Sequence, residues 1–227
     1  MGCRCSGVCE ETLPPLEKPV GHLSVTTPHG QLIPVRFFNV KHGFTIMMSG
    51  ASIKALTADV RGFAGSFSKA LCCNLMAFWT ETPRKGSLMD FESVLWFVQS
   101  CTRQSREQVV IYANDDEAGD SLRLCSKYPD IGGLVVSLAR SGADVLRTAL
   151  KVMEKLDPIL CPILLFHSLA EPPTSLLERS VFYHSPARRR LQRIPKPVET
   201  EHLETEVLRH LGPFLQSVRD AHPIVPN

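Results

Sequence analysis

Short apolar runs alternate along this chain with longer stretches of helical periodicity, and polar, glycine- or proline-containing turns separate them. Gly21 to Pro28 and Gln31 to Val40 alternate polar and apolar residues around His29-Gly30, which predicts a hairpin. Phe44 to Ser49 is a mostly apolar run closed by Gly50, the pattern of a strand covered on both faces in a parallel sheet. Ile53 to Leu71 reads as helix, Cys73 to Trp79 as a second buried strand, and Thr80 to Gly86 as a loop. Leu88, Phe91, Leu95 and Val98 fall on one face of a helix over Leu88 to Thr102.

The same alternation continues toward the C-terminus. Val109 to Tyr112 reads as a central strand and Ala118 to Ser126 as its helix. Gly133 to Leu138 is the next strand, Ala143 to Leu156 a helix, and Pro162 to His167 a strand. A last helix is expected from Glu201 to Arg219, interrupted or kinked at Gly212-Pro213. Strands alternating with helices predict an α/β fold: a mostly parallel sheet opened by an antiparallel hairpin, with helices on both faces.

At 227 residues and 44% apolar content the chain suffices for one domain with a full core. We expect a tail and linker over 1–19, a single domain over 20–220 and a short tail over 221–227. A formal charge of +2 leaves no electrostatic footprint for nucleic acid. The run Ala187-Arg188-Arg189-Arg190 fits a solvated edge or a lipid headgroup contact. Of the eight cysteines, Cys72, Cys73, Cys101, Cys125 and Cys161 lie in apolar segments and read as reduced core thiols.

The opening MGCRCSGVCE differs from the rest. Gly2, exposed once Met1 is removed, with Ser6 at the required spacing, matches the N-myristoylation pattern, and Cys3, Cys5 and Cys9 lie beside it. One myristoyl chain binds membranes only marginally, so palmitoylation of these cysteines would supply the second signal for stable anchoring. A zinc knuckle wants four ligands and the segment offers three cysteines. These readings place the protein, not secreted, on the cytosolic face of a membrane as a lipid-anchored monomer.

The stretch Gln108 to Tyr128, QVVIYANDDEAGDSLRLCSKY, is a strand, a sharp polar turn and an amphipathic helix. It resembles the nucleophile elbow of the α/β-hydrolase superfamily, which usually reads Gly-x-Ser-x-Gly. From Leu16 onward the order of elements resembles the small, Cys-rich-tailed acyl-protein thioesterases that remove palmitate from membrane proteins. Cys73-Asn74-Leu75, Pro162 to His167 and the closing Ser126-Lys127-Tyr128 add to that resemblance. It implies an α/β-hydrolase fold without a large lid. It also places the family's nucleophile on Asp115, its acid on Glu171 and its histidine on His202, with Gly50 and Asp116 at the oxyanion positions.

Several of these positions depart from the family. Aspartate replaces the serine, Glu117 stands where the elbow has its second glycine, and Ser49 replaces the oxyanion-loop histidine. The family's Asp-Tyr-x-Gly-Tyr-Gly loop is replaced by Trp79-Thr-Glu-Thr-Pro-Arg84. Three readings of Asp115 stand open. It, or Asp116, caps the following helix without catalysis. It is a carboxylate nucleophile, activated through His202 and Glu171. Or it joins Asp116 and Glu117 in holding Mg²⁺ or Ca²⁺, although consecutive residues at a helix start converge poorly on one ion.

His202, between Glu201 and Glu204, also fits an ordinary solvated histidine. Several losses at one site favour a retained fold and a lost reaction: a membrane-anchored pseudo-enzyme serving as a binding or scaffold module. The alternative is an active ester or thioester hydrolase using Asp115 or a relocated nucleophile, with Ser49 and Ser168 as candidates. Acylated proteins or lipids are the expected partners, and no cofactor or metal is expected.

Overall fold

The two faces of the central strands lead to two separate cores, because successive residues of a strand point to opposite sides. A computed structural model describes residues 20–38, 43–49, 71–79, 88–114, 117–138, 159–168, 189–194 and 200–221. Its eight strands are β1 (Val20–Thr26), β2 (Leu32–Phe38), β3 (Thr45–Ser49), β4 (Asn74–Phe78), β5 (Val109–Asn114), β6 (Gly133–Leu138), β7 (Ile163–Ser168) and β8 (Arg189–Ile194). They form one sheet in the order β1-β2-β4-β3-β5-β6-β7-β8. β1 pairs antiparallel with β2 and β2 antiparallel with β4, and every pairing from β4 to β8 is parallel.

The hairpin closes as its sequence predicts. The Gly30 N–H bonds the Thr27 carbonyl at 2.9 Å, and the Gln31 N–H bonds the Thr27 hydroxyl at 3.1 Å. Gly30 takes φ +81, a left-handed conformation that glycine adopts without steric cost.

Met47, Met76, Phe78, Val109, Ile111, Leu134 and Val136 face one core. It is covered by α1 (Leu88–Thr102) and α2 (Ala118–Lys127), which contribute among others Phe91, Val94, Leu95, Val98, Leu122 and Cys125. The intervening Ile46, Met48, Leu75, Ala77, Val110, Tyr112 and Val135 face the other core, where α3 (Thr200–Ala221) packs with Leu211, Phe214, Leu215 and Val218. Phe78 and Phe91 meet edge to face, ring centroids 5.1 Å apart, and so fix α1 against β4.

α3 runs unbroken from Thr200 to Ala221 with Pro213 inside it, so the expected interruption at Gly212-Pro213 does not occur. Its buried positions recur at i, i+3, i+4 and i+7, and Pro213 falls on the exposed side between them. A mid-helix proline costs roughly 3 kcal/mol. Burying four large apolar side chains, at about 1.5–3 kcal/mol each, outweighs it. The Arg219 guanidinium ties this helix to the chain entering β4, donating at 2.8 Å to the carbonyls of both Leu71 and Cys72.

The parallel strands also have a polar anchor at their amino ends. Buried Thr45 donates to Gln104 Oε1 at 2.6 Å and accepts from Asn74 Nδ2 at 3.3 Å, while Gln104 Nε2 donates to the Gly43 carbonyl. Tyr128, which ends α2, donates to Glu92 at 3.2 Å and lies under the Arg106 guanidinium. Arg106 in turn pairs with Asp130 at 2.8 Å.

Two elements went unread in the sequence. Arg106–Gln108 forms a turn of 3₁₀ helix before β5, and Arg189–Ile194 forms β8, the last strand of the sheet. Arginine-rich composition hides a strand, because alternation shows only where one face is apolar. The expected helices over Ile53 to Leu71 and Ala143 to Leu156, the loop Thr80 to Gly86 and the N-terminal tail lie outside the described residues, apart from helical Leu71.

Candidate functional site at the carboxyl ends of the strands

Register alone brings one set of residues to a common rim. Ser49 of β3 lies opposite Phe78 of β4 and Ala113 of β5. Asn114 lies opposite Ser137 of β6, Leu138 opposite His167 of β7, and Ser168 opposite Ile194 of β8. All six of these strands run parallel, so the rim is their carboxyl end, where open α/β sheets hold ligands.

The strand-turn-helix predicted from Gln108 to Tyr128 is present. β5 extends to Asn114, and α2 starts at Ala118. Ala113 and Ala118 are fully buried, so a small residue does stand two positions before the elbow. The N-cap position of α2 falls on Glu117 at φ −88, ψ −5, with no side-chain cap hydrogen bond. Asp115 and Asp116, on which the capping expectation falls, lie outside the described residues. The first turn keeps an acidic residue in Asp120, buried and bonded to Arg123 at 3.1 Å, and a carboxylate there suits the positive helix end.

Asp115, Asp116, Glu171 and Gly50 lie outside the described residues, as do Gly2, Cys3, Cys5 and Cys9. His202 belongs to the first turn of α3. The structure therefore aligns the strand ends that carry the site without describing the contacts of the three family-equivalent catalytic positions.

Ser49 is the residue whose surroundings say most. It is 1% exposed, and its hydroxyl has no hydrogen-bond partner among the described residues. A buried hydroxyl shut off from solvent is poorly placed to attack an ester. Ser168 ends β7 at the same rim.

The cysteines split more widely than their apolar settings predict. Cys73, Cys125 and Cys161 are buried and Cys101 is half-buried, but Cys72 is exposed. Cys72 sits at φ +47 just past helical Leu71, and this turn carries it out of the apolar pattern around it. Burial pushes the Cys73 thiol up to about 12, partly opposed by the Arg219 charge. Cys125 is also raised, first by its hydrogen bond with Cys161 and then by burial. Neither is a ready nucleophile. Among the described residues no three His, Cys, Asp or Glu side chains gather as for a metal ion, and no helix is long and apolar enough to cross a membrane.

No protein-family model and no curated protein matches the sequence. Solved structures do. An esterase of Pyrobaculum calidifontis matches at TM-score 0.64 and 9% identity, over 91% of this chain and 86% of its own. An esterase of Pyrococcus furiosus matches at 0.63 and 11%, over 88% and 92%, and the esterase domain of a Rhodothermus marinus protein at 0.60 and 10%, over 88% and 98%. The strand order, the parallel rim and these neighbours define the class: the chain has the α/β-hydrolase fold. At such identities the likeness extends to the fold and not to the reaction.

Proposed function

We propose that this is a membrane-anchored member of the α/β-hydrolase superfamily, akin to acyl-protein thioesterases, that has lost the hydrolytic reaction. It binds acylated proteins or lipids as a scaffold on the cytosolic face. The observation that carries the reading is the elbow: between buried Ala113 and buried Ala118 the chain reads Asn-Asp-Asp-Glu, and the residue at the helix start is Glu117. A serine nucleophile and the second small residue are both missing from the one turn the reaction depends on. Ser49, one candidate substitute, is buried.

The test is activity-based profiling of the purified chain with a serine-directed fluorophosphonate, beside ester turnover by wild type, Asp115→Asn and His202→Gln. No labelling and no turnover are expected. Labelling, or turnover lost in Asp115→Asn with a covalent intermediate trapped in His202→Gln, overturns the reading in favour of an active hydrolase. Gly2→Ala is expected to release the protein from cell membranes, and full retention refutes the anchor.

A further inference from the structure

Two buried thiols meet near the amino ends of the parallel strands. Cys125 lies in the last turn of α2, and Cys161 lies in the connector that leads into β7, 36 positions further along the chain. Both belong to the core under α1 and α2, at 0% and 3% exposure, and a hydrogen bond joins their side chains. A single buried cysteine behaves as a small hydrophobe and is explained by packing. Packing does not require two sulfurs to face each other. The two also differ in access: Cys125 is held inside a helix, whereas residues 159–162 form no helix or strand and Leu160, beside Cys161, is half exposed.

We propose that Cys125 and Cys161 form a redox-closed cross-link: a peroxide oxidises the pair to a disulfide that fastens α2 to the root of β7, and thiol reductants reopen it. Burial and the hydrogen bond to Cys161 keep the proton on Cys125, so the first attack falls to Cys161, the sulfur nearer the surface. Cys161 takes one oxygen of the peroxide and becomes a sulfenic acid, while the departing hydroxide and the thiol proton leave as water. The Cys125 sulfur then attacks the Cys161 sulfur, and the sulfenic hydroxyl leaves with the Cys125 proton as a second water. Two thiols have lost two electrons and two protons, and the peroxide is reduced to two waters. Cys125 reacts poorly with reagents in solution, but here its target is a sulfur it already touches. A disulfide draws two sulfurs from contact to about 2 Å, and the irregular connector at 159–162 is the side that gives. α2 already packs on β5 and β6. The new bond adds β7, and so couples the helix that starts at the elbow to the strand that carries Ser168 to the rim.

The experiment uses the full chain carrying Cys3→Ser, Cys5→Ser, Cys9→Ser and Cys72→Ser, so that Cys73, Cys101, Cys125 and Cys161 are the cysteines left to react. The reduced protein is exposed to hydrogen peroxide, its remaining thiols are blocked with iodoacetamide, and the digest is mapped by mass spectrometry. One linked peptide pair is expected, joining Cys125 to Cys161 and lost on treatment with dithiothreitol. Closing a loop of 36 residues should raise Tm by about 8–15 °C, and reduction should reverse the rise. In Cys125→Ala the Cys161 sulfenic acid should accumulate and be trapped by dimedone, with no rise in Tm. In Cys161→Ala the Cys125 thiol should stay unoxidised. A chain left fully reduced, a sulfenic acid at Cys161 of the parent chain without the link, a link through Cys73 or Cys101 instead, or a linked chain that melts no higher than the reduced one overturns the proposal. The map of the parent chain decides the matter even where an alanine variant fails to fold.

Discussion

Strand β3 has a buried hydroxyl at each end, and the two should respond oppositely to removal. Thr45 is fully buried and bonded to Gln104 and Asn74, at 2.6 and 3.3 Å. Ser49 is equally buried and has no partner among the described residues. A hydroxyl taken from water without a new partner costs roughly 1–3 kcal/mol. Ser49→Ala removes that cost and leaves a void of one oxygen atom, so a gain of about 1 kcal/mol is expected, or about 2–4 °C in Tm at this chain length. Thr45→Val keeps the shape but removes the donor to Gln104 Oε1 and the acceptor of Asn74 Nδ2, and should cost roughly 1–3 kcal/mol. Urea unfolding followed by tryptophan fluorescence measures both, with unchanged m confirming that only stability moved. If Ser49→Ala destabilises as much as Thr45→Val, the Ser49 hydroxyl is satisfied, by a buried water for instance, and the reasoning about this rim is wrong.

Three further outcomes can be checked. A β-carbon on Gly132 would stand 2.1 Å from the Glu107 carbonyl oxygen, and the Gly132 N–H already serves the Arg106 and Val109 carbonyls at 3.0 Å. Gly132→Ala should therefore cost at least the upper end of the roughly 1–3 kcal/mol typical of overpacking, seen as a lower urea midpoint. Cys73 titrates near 12 when folded against an ordinary 9.0, so within that window the unfolded chain releases a proton that the folded chain keeps. Its contribution is intact below the window, and stability falls as pH rises through it. Cys73→Ala should flatten that fall, and in the native protein a thiol reagent should modify Cys72 before Cys73 or Cys125.

The hairpin at His29-Gly30, the buried strands β3 to β7 and helices α1 to α3 were legible because each announces itself locally, by period or by turn residues. β8 was not, since three arginines in six residues conceal any apolar face. The continuity of α3 through Pro213 was missed for a related reason. A proline penalty is local and readable, whereas the burial of Leu211, Phe214, Leu215 and Val218 that outweighs it depends on what the helix meets. At the site, the chain order of Asp115, Glu171 and His202 came from resemblance; the structure adds the alignment of the strand ends, while Asp115 and Glu171 lie outside the described residues.

What the sequence determined by itself is most of the elements and the chemistry missing from the elbow, because periodicity and residue identity are properties of short stretches. What only the tertiary structure decided is adjacency. β3 lies between β4 and β5, which puts Ser49 beside Ala113 across 64 positions of chain. The Ser49 hydroxyl is thereby buried without a partner among the described residues, and β8 comes to one end of the sheet. Pairing between distant strands is set by how whole faces bury against helices, and no local pattern encodes that choice.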